Sequence, residues 1–561
     1  MRLLSLITAL LLGGALPALA DTYELVIERT TVTIDGQPRK VVSINGQIAA
    51  PTLRWREGEE VTINVVNRLD EDTSIHWHGI LLPQYMDGVP MVSFAGIKPG
   101  TTFTYRFKVR QSGTYWYHSH SGGQEQDGMY APIVIAPAKG ERHKADRDYV
   151  VMLSDSHPMA APAILRKLKQ EPGYFNDRRR TLPGLLRELG NAKSGEERQA
   201  IVRDRLDWAE MRMDPTDLAD VTGYTFLVNG KGPADNWTGL FKPGEKVRLR
   251  FVNGSAMTLF DVRVPGLKLK VIQADGQDVE PVTVDTFRFG PGETYDVIVE
   301  PPSDRMAEDR AFTIWGASID RRGAARATLA PREGMTGPLP DMPAPALLGM
   351  AAMGHSMAGM DHSKMDHASM SGGGMNHAAP SSMNGGHDTS GLVHVPPVAA
   401  AEGERVLNYR DLKRLDRSYA LAEPDRVIEM RLTGNMEKFF WSFDDKKYSE
   451  AQPVPFALGE TVRLVLKNET MMNHPIHLHG LWMDLDNGAG EQRPRKHTVI
   501  VPPGRTVSVT VHMTEPGAWP FHCHLLFHMA TGMFREFVVG PAGAVAPAAP
   551  AQKQGGAHAH H

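Results

Sequence analysis

Cys523 is the only cysteine in a chain of 561 residues. A lone cysteine most often behaves as a small buried hydrophobe. This one stands in His522-Cys523-His524-Leu525-Leu526-Phe527-His528-Met529-Ala530-Thr531-Gly532-Met533, between two histidines and with a third His and a Met close behind. Cys, His and Met are soft or borderline ligands, and a trigonal His2Cys set with a weak axial Met is the donor set of a blue-copper electron-transfer site. On an extended strand, neighbouring side chains point to opposite faces. His522 and His524 would then face one way and Cys523 the other. Copper on Cys523 would be joined through two adjacent residues to metal held by both histidines, a covalent electron path between two metal sites.

The elements that must position these residues repeat along the chain. Alternating segments such as Tyr23-Glu24-Leu25-Val26-Ile27 and Val61-Thr62-Ile63-Asn64-Val65, with turns at Asp35-Gly36 and Glu57-Gly58, read as β-strands and argue for β-sandwiches. Gly58-Glu59 leads through a strand to Asn67, Gly244-Glu245 to Asn253 and Gly459-Glu460 to Asn468, at one spacing. Nine and eleven residues past Asn67 stand His76 and His78, and at the same offsets from Asn468 stand His477 and His479. From Asn253 those offsets reach Val262 and Val264. Pro99-Gly100, Pro291-Gly292 and Pro503-Gly504 then open a further strand in each copy. Gly113 precedes His118 and His120 by five and seven residues, as Gly517 precedes His522 and His524. One β-domain is therefore expected three times, with ligands in the first and last copies and none in the middle one. Ser119 replaces the cysteine and Gln124 replaces His528 in the first copy, so the blue site belongs to the third copy alone.

Around this core the chain divides as a signal peptide at 1–20, a first domain at 21–140, a second at 141–338, a Met/His-rich linker at 339–396, a third domain at 397–540 and an Ala/Pro-rich tail at 541–561. The first segment has a basic start at Arg2, an apolar run and a small-residue end, Ala18-Leu19-Ala20, which reads as an export signal cleaved before Asp21. No later stretch is apolar enough to span a bilayer. One cysteine excludes an intramolecular disulfide framework, and a formal net charge of -4 gives no reason to expect nucleic acid as a partner. Residues 158–220 break the strand pattern and read as a helical insertion in the second domain, through Leu165-Arg166-Lys167-Leu168, Leu185 to Leu189 and Glu196 to Met213. A structural cover is the bland reading of that insertion and a substrate-access role the sharper one. In the linker, Met353, Met357, Met360, Met365, Met370 and Met375 recur among histidines. Thioethers suit Cu(I), so capture of that ion is expected there against compositional drift. Met471 and Met472, just before His474, would either deliver Cu(I) to that edge or fill core gaps.

Four motifs thus stand in order: His76-Trp77-His78, His118-Ser119-His120, His474-Pro475-Ile476-His477-Leu478-His479 and the Cys523 stretch. Together they resemble the multicopper oxidases, and the likeness spans nearly the whole mature chain. Asp87-Gly88-Val89-Pro90-Met91-Val92, Tyr115-Trp116-Tyr117-His118-Ser119-His120, Arg212-Met213-Asp214-Pro215-Thr216-Asp217 and Phe521-His522-Cys523-His524 are most similar to the exported bacterial copper-resistance oxidases of that family. A departure is the signal: many such relatives carry a twin-arginine signal, and Arg2 stands alone here.

The resemblance implies an all-β fold of three cupredoxin-like Greek-key β-sandwiches and four coppers. It places His474, Cys523 and His528 on the type 1 copper with Met533 axial, and His76 and His477 on the type 2 copper. His78, His118, His120, His479, His522 and His524 fall on the type 3 pair. It also implies a periplasmic enzyme in which electrons pass from Cys523 through His522 and His524, and O2 is reduced to two waters. Asp87 is the implied proton relay, although an Asp in a Gly turn is an ordinary surface feature. Some relatives carry a carboxylate after the second type 1 histidine; here that residue is Met529, so no relay is assigned there. The expected reductant is Cu(I), oxidised in the service of copper resistance, with a periplasmic copper carrier as a further partner. A small organic reductant, as in laccase-type phenol oxidation, and copper sequestration with little turnover are the alternatives.

Overall fold

Apolar residues at every second position build the strands: Val61, Ile63 and Val65 of Glu60–Asn67 are wholly buried. The computed structural model describes residues 21–541 apart from 211–213, 305–308, 346, 348–402, 417–421 and 436–437. The segment 1–20, expected as a signal peptide, the tail beyond 541, Arg212 and Met213, and all six linker methionines from Met353 to Met375 lie outside the described residues.

The strands form six sheets that pair off along the chain. Two four-stranded sheets use residues 21–136, a six- and a five-stranded sheet use 147–330, and another six and five use 426–540. One topology recurs in the three pairs. Asp21–Ile34 runs parallel to Glu60–Asn67, Arg147–Ser156 to Val247–Asn253, and Arg426–Asn435 to Thr461–Asn468. The protein is therefore mostly β, in three sandwiches with cupredoxin-like connectivity.

The repeated asparagines explain the repeat. Asn67 donates from Nδ2 to the Glu71 and Ile97 carbonyls, Asn253 to Thr258 and Phe289, and Asn468 to Met472 and Val501. Each also accepts at Oδ1 from the N–H two residues on. One buried amide thus ties off the loop that leads into the next inner strand, satisfying backbone groups that water cannot reach. In the first and third copies that strand carries His76 and His477. In the middle copy it carries Val262, which packs in the core with Val264.

Three helices interrupt the second sandwich: α1 (Ala161–Gln170), α2 (Leu182–Asn191) and α3 (Gly195–Glu210). Helix α1 buries Ala161, Ile164 and Leu168, one face at helical spacing, while α3 buries only Trp208 and α2 nothing. The following segment returns through Asp217, Asp220 and Val221, all buried, and so brings the Asp220 carboxylate to His528 of the third sandwich. Buried apolar residues of the second and third sandwiches form one continuous core, and the first sandwich has its own.

Candidate metal centre

The strand Gly517–Cys523 and the short helix α4 (Leu526–Thr531) set the first group. Cys523 Sγ lies 3.5 Å from His474 Nδ1 and 3.7 Å from His528 Nδ1, and the two nitrogens are 3.1 Å apart. A point equidistant from these three atoms is about 2 Å from each, the length of a metal bond to imidazole or thiolate. The far nitrogens are occupied. His474 donates from Nε2 to Thr470 Oγ1 at 2.7 Å, and His528 from Nε2 to Asp220 Oδ2 at 2.7 Å. Trp441 stacks on His528 at 4.0 Å. Met533 is fully buried, and its carbonyl accepts from the Cys523 N–H at 3.2 Å.

Behind Cys523, on the other face of the strand, eight histidines converge. His76–His78 pairs antiparallel with Gly113–His118, setting His76 opposite His118, and His474–Leu478 pairs with Gly517–Cys523, setting His477 opposite His522. The two strand pairs meet face to face: His78 stacks on His477 at 3.7 Å and His76 on His479 at 3.8 Å. The nitrogens of His78, His118 and His524 gather within 4.8 Å of one another, as do those of His120, His479 and His522, and those of His76, His477 and His479. The middle sandwich supplies a wall. Gly292, with φ +90°, lies so close that a Cβ there would stand 2.9 Å from His78 Nε2 and 3.0 Å from His524 Cδ2.

These imidazoles fit copper. The Nδ1 protons are spent on oxygens: His76 on the Asp87 carbonyl, His118 on Ser119, His522 on Cys523, His477 on His497, and His479 on Asp87 Oδ2. That leaves the Nε2 lone pairs facing inward. Nε2 of His76, His118, His120 and His477 and both ring nitrogens of His78 and His524 are buried with no hydrogen-bond partner. His479 and His522 set their Nε2 atoms 2.9 Å apart. Each unsatisfied buried polar atom costs about 1–3 kcal/mol, so the array makes sense only around cations. Burial pushes His78, His118, His120, His477, His479 and His524 well below the usual imidazole range, and His522 down to about 3, so the rings are neutral and able to ligate. Burial pushes the Cys523 thiol up, so its thiolate forms only against a cation.

Asp87 is wholly buried rather than on a surface turn. Its Oδ2 accepts from His479 Nδ1 at 2.8 Å, and its Oδ1 lies 3.3 Å from His76 Nδ1 with no hydrogen bond of its own. Met471 and Met472 are both buried in the core beside His474, as gap-filling side chains are.

Three residues escaped the sequence reading. Asp220 binds His528 from the second sandwich; nothing in a single sequence signals that reach. Glu125, 3% exposed, sets Oε2 3.0 Å from His118 Nδ1 and Oε1 3.9 Å from His524 Nδ1. A signal for it existed: by the repeat offsets Gln124 corresponds to His528, so Glu125 corresponds to Met529. The carboxylate absent after the blue-site histidine is present at the same place in the first copy. The third is His497, a ninth imidazole, whose nitrogen lies within 4.8 Å of those of His78 and His477.

Family models described as multicopper oxidase match residues 26–140, 203–330 and 422–543. The chain is 47% identical to copper resistance protein A of Escherichia coli, over 92% of each chain. It is 48% identical to a copper resistance protein A homolog of Pseudomonas syringae pv. tomato, over 92% of this chain and 91% of that one. Among solved structures, the fold matches Fet3p, described as a multicopper oxidase that functions in iron import, with a TM-score of 0.67 at 20% identity over 93% of this chain and 91% of that one. With the sandwiches, the thiolate triangle and the histidine array in place, these matches settle the affiliation: the chain belongs to the multicopper oxidase family.

Proposed function

We propose that this oxidoreductase takes single electrons from Cu(I) beside His528 and passes them to O2, in an exported enzyme of copper resistance. The family's cofactors are four copper ions, one type 1, one type 2 and a type 3 pair. His474, Cys523 and His528, with Met533 as a further donor, would hold the type 1 ion; His76 and His477 the type 2 ion; His78, His118, His120, His479, His522 and His524 the pair. When bound, these ions accept one electron at a time and supply the four that convert O2 to two waters.

The chain's own part is positional. Cys523 and its neighbours His522 and His524 offer a route of covalent bonds between the two groups of ligands. Asp87 orients His479 and His76 and, at its free Oδ1, can hand a proton inward. Glu125 braces His118 beside His524. Pro475 accepts from the His524 N–H at 2.6 Å and fixes the chain just past Cys523.

One observation carries the choice of Cu(I). His528 and Asp220 are both fully buried at their side chains, and the hydrogen bond between them closes the ring edge that an organic reductant would have to touch. Burial pushes Asp220 up to about 7, and Asp217 rises through burial and the nearby Asp220 charge. Burial thus holds the pair toward the neutral form, and a small cation, which a phenol ring is not, is what would restore its charge in a closed site. The similarity to copper resistance proteins agrees, and the signal-like first residues support a periplasmic location.

The test is oxygen uptake by the copper-loaded protein with Cu(I) or with a phenol, beside Cys523→Ser. Rapid uptake with Cu(I), slow uptake with the phenol and neither in the variant is the expected result. Rapid phenol turnover with Cu(I) ignored would replace this reading with a laccase. No uptake with either would leave a copper-binding protein.

A further inference from the structure

A cleft of about 620 Å³ opens where the first sandwich meets the second, and none of the residues that line it is an assigned copper ligand. Its walls come from the strand Gln37–Ile44, the loop after His120, and the chain between Arg147–Ser156 and α1. That is the size of a pocket for a small organic molecule. Two donors in it have nothing to donate to. Gln126 is 4% exposed; Tyr224 donates to its Oε1 at 2.7 Å, which turns the amide nitrogen away, and Nε2 is buried with no partner. Arg39 Nε is also buried with no partner, and among the described residues no carboxylate pairs with this guanidinium. Buried donors left unmatched are costly, so the cleft calls for an acceptor.

The other polar groups of the cleft are engaged. Asp155 accepts from the Ala256 and Met257 N–H groups at 2.9 and 3.1 Å and from Thr258 Oγ1 at 2.7 Å. Asp127 Oδ1 accepts from the Ala161 N–H at 2.9 Å. Burial pushes both carboxyls up, Asp155 to about 6, which weakens their negative charge. Arg29 is paired with Glu71. His157 donates from Nε2 to the Thr222 carbonyl at 3.2 Å and accepts at Nδ1 from the Met159 N–H at 3.0 Å. What remains open is the Arg39 guanidinium, Gln126 Nε2 and the Lys40 ammonium, beside apolar wall from Pro38, Val41 and Ile48.

We propose that this cleft binds a small organic carboxylate, its oxygens on Arg39 and Gln126 Nε2 and its apolar body against Val41 and Ile48. A guanidinium presents its N–H groups in a plane that matches a carboxylate, and the amide N–H adds a further donor. The site goes beyond the oxidase reading and does not depend on the reductant. Gln126 follows Glu125, so one loop carries a donor of the cleft and the carboxylate that braces His118. An acid bound here would rest against the loop that holds part of the histidine array.

The test is calorimetric titration of the copper-loaded protein with benzoate, beside benzamide, which has the same shape and no charge. The expected result is one saturable benzoate site per chain, at least tenfold weaker in Arg39→Gln and in Gln126→Glu, and no benzamide site. The paramagnetic resonance signal of the type 2 copper should not change on addition. No saturable heat with benzoate overturns the proposal. Benzamide bound as tightly as benzoate also overturns it, since the cleft would then be apolar and indifferent to charge. Equal benzoate affinity in Arg39→Gln overturns it as well, and a type 2 signal altered by benzoate in that variant would place the acid on copper instead. If Gln126→Glu does not fold, Arg39→Gln decides, because that half-buried side chain makes no hydrogen bond among the described residues.

Discussion

At the scale of single residues, the blue-site triangle depends on what holds the far side of each ring. Asp220 does this for His528 across the boundary between two sandwiches. In Asp220→Asn the amide oxygen still accepts from Nε2, but the charge is gone. We expect the blue absorption to persist and kcat/KM for Cu(I) to fall about tenfold, the effect of weakening one charge-assisted hydrogen bond. An unchanged rate would remove Asp220 from the electron-entry site. Eight histidines were legible in sequence because they come in pairs at offsets that recur between copies, and Cys523 because it stands inside one such pair; His474 and His528 entered with the family resemblance. Asp220, Glu125 and His497 were not, or not fully. Their chemistry is ordinary in sequence, and only packing between copies brings them to the rings. Asp87 is the intermediate case: its Gly turn looked like a surface feature, and the third sandwich buries it.

At the scale of elements, the asparagine loop is the unit that delivers a ligand strand. Asn468 secures the loop that carries Thr470 to His474, and Asn253 secures the equivalent loop without ligands. Asn468→Ala and Asn253→Ala should both lower stability, by about 2–3 kcal/mol for several buried hydrogen bonds. Only Asn468→Ala should also shift or weaken the blue absorption. Thermal unfolding beside the visible spectrum of each variant checks the contrast, and equal spectra would detach the loop from the metal group. The strand repeat and the helical insertion were readable because alternation and helical spacing are local signals. The job of the segment after α3 was not, since nothing local in the sequence signals that Asp220 meets His528, 308 residues further on.

At the scale of the molecule, the histidine array joins the first sandwich to the third. Without cations it leaves a set of neutral imidazoles facing one another in a buried space. Stripping copper should therefore lower Tm and loosen the first sandwich from the third. At a free copper concentration about 1,000 times the dissociation constant, binding adds about 4 kcal/mol to stability. Calorimetry of the loaded and stripped protein measures this; equal Tm values would mean that the array is not what fastens the sandwiches.

The ligand Asp87 orients is 392 residues further along the chain. No growing chain can offer a finished cluster until its third sandwich has been made and has docked on its first. Ions that arrive earlier meet half a cage. Copper loading is thus a coincidence test for complete synthesis and correct docking, and a chain that fails either has no way to become an oxidase.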